Sequence, residues 1–239
     1  LIPLSALGVP YLIYRRKFIY ILGLLSAGYL FFFWTWGLNY HRPPLVSKLD
    51  FSAERVNVDS VAHLTGEAAA ALNDLYSQGP LAAFDLSRLE VDAAVRVAAV
   101  VAELDGTSWP AASGLKSSWV LNPFFAAAGV DGMFNPFGHE AIITRGLLSF
   151  EVPMIALHEL AHVRGYPHEG DAYFVALKAA LGSSDRAFRY SGWLTLWFYL
   201  RSPESDLLLE QGPRRDLEAV YARIASRRID WVSRTQSRS

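Results

Sequence analysis

The pattern of the chain begins with an uninterrupted apolar stretch. Residues 18–38 contain no charged side chain, and about 20 apolar residues are enough to cross the hydrocarbon core of a bilayer. Almost every position is apolar, so the stretch has no polar face to turn toward water. It is also longer than the apolar region of a secretory signal, which is about 7–15 residues. The pattern therefore predicts a transmembrane helix over Phe18–Leu38.

The charges on either side of this stretch indicate its orientation. Three basic residues precede it and two follow it: Arg15, Arg16, Lys17, Arg42 and Lys48. Because Lys and Arg favour the cytoplasmic side of a membrane, we expect a basic cytoplasmic loop within residues 1–17. The apolar residues 1–14 could be the end of an earlier span. The remainder of the chain would then lie outside the cytoplasm of a bacterial cell, anchored in its membrane.

Beyond the apolar stretch, we expect a linker over residues 39–58 and a folded domain over residues 59–239. Apolar positions in the domain recur with the period of amphipathic helices. The predicted helices span residues 59–76, 87–104, 153–164, 169–181, 185–201 and 213–232. The helix over 87–104 opens with an apparent capping box, Ser87 with Glu90. The basic helix over 213–232 would either lie against anionic membrane lipid or pack on the domain.

The segment over residues 106–138 has a different composition, rich in Gly, Pro, Ser and aromatic residues. Because Gly and Pro interrupt helices and strands, this composition predicts a long irregular segment. Long loops in compact domains are usually functional. We expect short strands at 119–121 and at 141–144. The predicted fold class is mainly α, of α+β type, with a small sheet beside the helix over 153–164.

Composition narrows the chemistry of the domain. The chain is 52% apolar and 19% charged, with a mean hydropathy of +0.18, which argues against disorder. A net charge of −1 removes the electrostatic basis for binding nucleic acid. The absence of cysteine excludes disulfides, thiolate metal sites and a cysteine nucleophile. A metal in this protein must therefore be held by His, Asp or Glu.

The strongest chemical motif is the run His158-Glu159-Leu160-Ala161-His162. Histidines at positions i and i+4 lie on one face of a helix, so His158 and His162 can reach one metal ion. Glu159 lies beside them, where it can take a proton from a water molecule that Zn²⁺ activates. The motif predicts a zinc peptidase site with Glu159 as general base. An ordinary helix with two surface histidines is the alternative.

Catalytic zinc usually has three protein ligands. The candidates for the third are His168, Glu169 and Asp171. His168 would complete a metzincin pattern with a turn at Gly165, but that pattern needs a methionine turn downstream. The methionines of the chain, Met133 and Met154, both lie upstream. We therefore favour Glu169 as the third ligand.

Further motifs accompany the run HELAHxxG at 158–165: WGLNYxRPP at 36–44, PFxxEA at 136–141 and FRYSG at 188–192. Together they resemble a family of bacterial membrane proteins of unassigned function that are regarded as gluzincin-type zinc metallopeptidases. The resemblance covers most of the chain and is poorest over residues 50–110 and after 205. It implies a zincin-like domain that binds Zn²⁺ and acts on a peptide or protein.

In that family the segment after HELAHxxG tends to read S-E-x-E-A-N-F. Glu169 matches its first Glu, Asp171 stands in place of its second, and Tyr173 stands in place of its Asn. The resemblance therefore supports Glu169 as the ligand and expects no histidine at position 168. Because Tyr173 is not a carboxylate, the group that orients a histidine ligand must come from elsewhere in the chain.

Two residues outside the motif have open roles. Tyr190, in the run Tyr-Ser-Gly, could donate to the oxyanion during catalysis or be a buried aromatic with a satisfied hydroxyl. Glu140 could lie on an edge strand that pairs with substrate, orient a histidine ligand, or be a charge that discourages aggregation.

These expectations combine into one functional hypothesis. The protein is a membrane-anchored zinc peptidase in which His158, His162 and Glu169 bind Zn²⁺, Glu159 is the general base and Tyr190 assists catalysis. Its partners would be a peptide or protein substrate and membrane lipid. The alternative is a non-catalytic membrane protein that keeps a zincin-like fold as a binding or sensing module.

Overall fold

A computed structural model describes residues 4–81, 85–108, 110 and 114–236, with side chains described only between residues 14 and 226. The chain forms two compact units, Leu1–Arg42 and Pro43–Ser239.

The first unit is dominated by helix α1, Leu4–Thr35. Residues Tyr14–Thr35 are long and apolar enough to cross a membrane, and their side chains are not buried. The helix runs without a break through Arg15, Arg16 and Lys17, so these residues are helical rather than in the loop we expected.

The helix α1 ends before the predicted limit at Leu38. The hydroxyl of Thr35 donates to the carbonyl of Phe31 at 2.7 Å, and the chain then tightens into a 3₁₀ turn, Gly37–His41. A 3₁₀ turn commonly finishes an α-helix because its tighter hydrogen bonds satisfy the last free carbonyls. The helix therefore ends well before Pro43.

The second unit is mainly helical. Its helices agree closely with those predicted from periodicity, apart from the short helix Asn122–Ala128, which was not predicted. Its α-helices are α2 Val58–Ser77, α3 Leu86–Asp105, α4 Asn122–Ala128, α5 Val152–Val163, α6 Glu169–Leu181, α7 Arg186–Leu200 and α8 Gln211–Gln236. The predicted capping box is wrong, because Asp85 occupies the N-cap of α3 and Ser87 lies inside the first turn. Residues 43–58, expected in the linker, belong to this unit, and Leu45 is buried in its core.

The second unit also contains a three-stranded sheet in the order β1-β3-β2. The strands are β1 Leu115–Ser117, β2 Gly132–Asn135 and β3 Glu140–Ile143. The strand β3 pairs in parallel with β1 and antiparallel with β2, and Gly132 lies opposite Ile143. The central strand matches the prediction at 141–144, whereas residues 119–121 form a turn rather than a strand. This turn leads into α4, whose first turn contains Pro123, a position that proline favours.

The helix α5 lies at the centre of the second unit. It packs against α3, α6, α7 and the sheet, and nearly all of its side chains are buried. His158, Glu159 and His162 are the polar side chains on this buried helix. Burying polar groups costs free energy unless they find partners. Their presence at the centre of an otherwise apolar helix therefore marks α5 as the location of the candidate site.

Candidate metal centre

Two histidines and a carboxylate converge at the junction of α5 and α6. The Nε2 atoms of His158 and His162 are 3.2 Å apart. Carboxylate oxygens of Glu169 lie 3.0 Å from Nε2 of His158 and 3.5 Å from Nε2 of His162. The three side chains form a cluster that could hold a metal ion.

The turn between the two helices brings the third side chain to the histidines. Gly165 has φ +84°, a left-handed conformation that favours glycine, and its amide donates to the carbonyl of His162 at 2.8 Å. The turn reverses the chain so that Glu169, the first residue of α6, faces α5. His168 is the exposed N-cap of α6, and neither it nor Asp171 belongs to the cluster of described residues.

The same turn orients one of the histidines. Nδ1 of His162 lies 2.7 Å from the carbonyl oxygen of Tyr166. A carbonyl can only accept, so Nδ1 carries the proton and Nε2 presents its lone pair to the cluster. A hydrogen bond of this kind is usual behind a histidine that binds a metal.

His158 is held in a different way. Its Nδ1 atom is buried and has no hydrogen-bond partner among the described residues. The ring instead packs against Tyr173, with the ring centroids 4.1 Å apart. Tyr173, which departs from the gluzincin pattern, thus holds the ring of His158 by packing rather than by a hydrogen bond.

The spacing of the donor atoms matches the requirements of Zn²⁺. Zinc takes nitrogen and oxygen ligands at about 2.0–2.2 Å in tetrahedral geometry, which places neighbouring donor atoms about 3.3 Å apart. The separations of 3.2, 3.0 and 3.5 Å lie around this value. Burial lowers the pKa of His158 to about 4, helped by His162 and opposed by Glu169, so the ring is neutral at pH 7, as a metal ligand requires. The residues present fit a zinc ion.

Glu159 lies beside the cluster and against the edge of the sheet. Its side chain is only 5% exposed, and a Cβ placed on Gly132 of β2 would lie 2.5 Å from its Oε1 atom. Burial, with a smaller contribution from Glu169, raises the pKa of Glu159 to about 8. A nearby cation would favour the charged carboxylate and lower this pKa.

One side of the cluster is open. The side chain of Glu169 is 74% exposed, whereas both histidines are buried. Next to the cluster, the ring of Tyr173 contacts the exposed ring of Tyr199 near the end of α7, with centroids 5.7 Å apart. Sequence reasoning missed Tyr199 because it lies in the apolar run 193–200, and missed Gly132 because nothing local in the sequence links it to α5.

Tyr190 is not part of this cluster. It is fully buried in a second core with α2 and α8, and its hydroxyl donates to Oδ2 of Asp216 at 2.6 Å. Burial raises the pKa of Tyr190 above its ordinary value, with a further contribution from Asp216. This placement disagrees with a donor to an oxyanion and agrees with the alternative of a buried, satisfied aromatic.

Glu140 lies on β3, the central strand of the sheet, which disagrees with the two alternatives that place it on an edge strand. It forms an ion pair with Lys116 of β1 at 3.0 Å. The edges of the sheet are formed by β1 and β2, and α5 packs against β2 and β3.

Comparison with known families identifies a match over most of the chain. A family described as a protein of unknown function, DUF3810, matches residues 11–206. The chain belongs to the DUF3810 family. No curated protein and no solved structure matches it. The DUF3810 match includes α1 from residue 11 onward and all three residues of the candidate metal cluster, and it stops before α8.

Proposed function

We propose that this member of the DUF3810 family is a membrane-anchored zinc peptidase. The observation that carries the proposal is the convergence of His158, His162 and Glu169 at zinc-ligand spacing, with a buried Glu159 beside them. A Zn²⁺ ion held there would supply a Lewis acid that polarises a carbonyl oxygen and lowers the pKa of water.

The carboxylate of Glu159 would act as the general base. Its position one residue after His158 places it next to the ligands, and its contact with Gly132 limits where the carboxylate can move. In the proposed reaction an Oε atom of Glu159 takes a proton from the attacking water and returns it to the leaving amine. The amide bond breaks between carbonyl carbon and nitrogen, and the water oxygen joins the carbonyl carbon.

The geometry of the sheet supports a peptide as substrate. The outer edge of β2 pairs with no strand among the described residues. An extended peptide can add to such an edge through main-chain hydrogen bonds. Because Gly132 of this strand touches Glu159, a peptide on the edge would have its backbone close to the general base.

The open side of the cluster favours catalysis over the alternative of a binding or sensing module. A structural zinc site is closed by four protein ligands, while a catalytic site keeps one position for water or substrate. Here the described cluster offers three ligands, and Glu169 faces solvent.

Membrane anchoring is proposed on a separate basis. Residues Tyr14–Thr35 have the length and apolarity of a span, and the basic residues at its start, Arg15, Arg16 and Lys17, would place the domain outside the cytoplasm. The bacterial location follows from the resemblance of the motifs.

The decisive experiment separates metal binding from catalysis. Purified full-length protein in detergent should contain about one zinc ion per chain by mass spectrometry of metals, and His158→Ala with His162→Ala should remove it. Glu159→Gln should keep the zinc and lose hydrolysis of a peptide library. Zinc that persists in the double variant overturns the ligand assignment. Cleavage that persists in Glu159→Gln overturns the role of the base.

A further inference from the structure

A second region of the domain has features that neither the metal centre nor the proposed reaction uses. Trp119, Val120 and Phe124, in the turn before α4 and on α4 itself, are 77%, 86% and 62% exposed. Large apolar side chains are normal on a surface when they occur singly, but a cluster of them indicates a contact surface. We define these three residues with Arg145 as the tryptophan patch.

A cation lies at the centre of the tryptophan patch. The guanidinium of Arg145 stacks over the indole ring of Trp119, 3.6 Å from its centroid. Its Nε atom reaches only the hydroxyl of Ser117, at 3.4 Å, and no carboxylate among the described residues forms an ion pair with it. The guanidinium is therefore available to an anion from outside the domain.

The backbone that carries this cation is fixed. The side-chain oxygen of Asn122 accepts from the amide of Arg145 at 2.8 Å and from the hydroxyl of Thr144 at 3.0 Å. Trp119 and Arg145 line a cavity of about 490 Å³, and its apolar lining also includes Leu86, Leu147 and Val152. The patch thus combines exposed apolar groups, a fixed cation and a neighbouring apolar cavity.

We propose that the tryptophan patch docks on the surface of a membrane that contains anionic lipid. This inference rests on the proposed membrane anchoring, since only residues 36–42 separate α1 from the second unit. Tryptophan is enriched at the boundary between lipid and water, where its ring is partly apolar and its NH remains polar. Arg145 would contact lipid phosphates, Val120 and Phe124 would enter the acyl boundary, and the cavity offers room for an acyl chain.

The chain is well suited to a direct test because it contains no cysteine. Single cysteines can be introduced at Val120 in the patch, at Ala27 in α1 and at the exposed Ser77 on α2, and each can carry a nitroxide label. Full-length protein would be placed in nanodiscs of phosphatidylcholine alone or mixed with phosphatidylglycerol. Spin relaxation by oxygen reports lipid around the label, and relaxation by a water-soluble nickel chelate reports water.

We expect the label at Ala27 to be in lipid in both kinds of disc and the label at Ser77 to be in water in both. The label at Val120 should be in lipid when phosphatidylglycerol is present. A basic residue near an anionic surface contributes about 1 kcal/mol, so Arg145→Gln should lower the ratio of docked to free patch about fivefold. This effect should vanish in pure phosphatidylcholine.

Each other outcome identifies which claim fails. If Val120 is in water in both discs while Ala27 is in lipid, the docking proposal is wrong and the anchoring is correct. If Ala27 is in water, the anchoring fails, and the docking proposal loses its basis. If Val120 is in lipid but Arg145→Gln has no effect, the cation does not select anionic lipid, and that part is overturned. The zinc content of the same samples tests the metal centre independently.

Discussion

The close approach of Gly132 to Glu159 makes a prediction that can be worked through in numbers. In Gly132→Ala, the new Cβ would lie 2.5 Å from Oε1, 2.7 Å from Cγ and 2.8 Å from Cδ of Glu159. Ordinary contacts begin at 3.4 Å, so Oε1 would have to move by about 0.9 Å if the strand stays in place. Glu159 is buried, and its surroundings leave little room for that movement.

Two effects should follow from this displacement. Overpacking a close-packed region costs about 1–3 kcal/mol, which for a chain of this size lowers Tm by roughly 2–12 °C. If Glu159 is the general base, a displacement of about 1 Å should also reduce kcat about a hundredfold. Zinc content should be unchanged, because the three atoms nearest to the added Cβ all belong to Glu159 and not to a proposed ligand.

A double-mutant cycle attributes the cost to this one contact. The Tm of the wild type, Gly132→Ala, Glu159→Ala and the double variant would be measured by circular dichroism in the same detergent. The penalty for Gly132→Ala should largely disappear in the Glu159→Ala background, giving a coupling energy of about 1–3 kcal/mol. Gly170→Ala is the matched control, because it lies next to a ligand yet its Cβ would have nothing within 4 Å. An equal penalty in both backgrounds would refute the reasoning.

Two further predictions concern α8. Arg223→Met removes hydrogen bonds to Asp131 at 2.8 Å and Glu151 at 2.6 Å and takes this cation away from both carboxylates. The free energy of unfolding, measured in denaturant, should fall by about 3 kcal/mol. An unchanged denaturation midpoint would contradict this. Burial raises the pKa of Asp216 above its ordinary 3.8, and the hydroxyl of Tyr190 opposes this shift. The folded protein therefore favours the protonated side chain. The stability that this preference contributes is fully present below pH 3.8 and is lost as pH rises through the raised pKa. Asp216→Asn keeps a hydrogen-bond acceptor but cannot titrate. The Tm of this variant should therefore rise relative to that of the wild type as the pH is raised from 3.5 to 7. A Tm difference that stays constant over this range would show that ionisation of Asp216 does not destabilise the fold.

The sequence predicted the helices well because their signals are local. Apolar residues at helical spacing and the flanking breakers define α6 at Glu169–Leu181 and α5 to within one residue at each end. Residues 119–121 are all apolar, which favours a strand, but a run this short shows no periodicity by which a strand can be assigned. These residues instead form the exposed turn of the tryptophan patch.

The candidate site combines contacts that the local sequence predicts with contacts that depend on distant parts of the chain. Two histidines one helical turn apart, followed by a glycine that permits a left-handed turn, bring His158, His162 and Glu169 together within a short stretch of chain. The contact between Gly132 and Glu159 depends on the pairing of β2 with β3 and the packing of the sheet on α5. That arrangement is tertiary, and no spacing in the sequence encodes it.

Tyr173 shows how a departure from a motif can be judged once its surroundings are known. In the gluzincin pattern this position supplies a carboxylate or amide that would accept from a histidine, and here the Nδ1 atom of His158 has no such partner among the described residues. The tyrosine ring packs on His158 instead and restricts its rotation. Orientation is therefore preserved, while the hydrogen bond that selects the tautomer is not. His162, whose Nδ1 atom is hydrogen-bonded to the Tyr166 carbonyl, is better oriented for the proposed metal than His158. Since outer hydrogen bonds of this kind contribute about 10–100-fold to metal affinity, the departure at Tyr173 should weaken the proposed binding of zinc without removing any of the three candidate ligands.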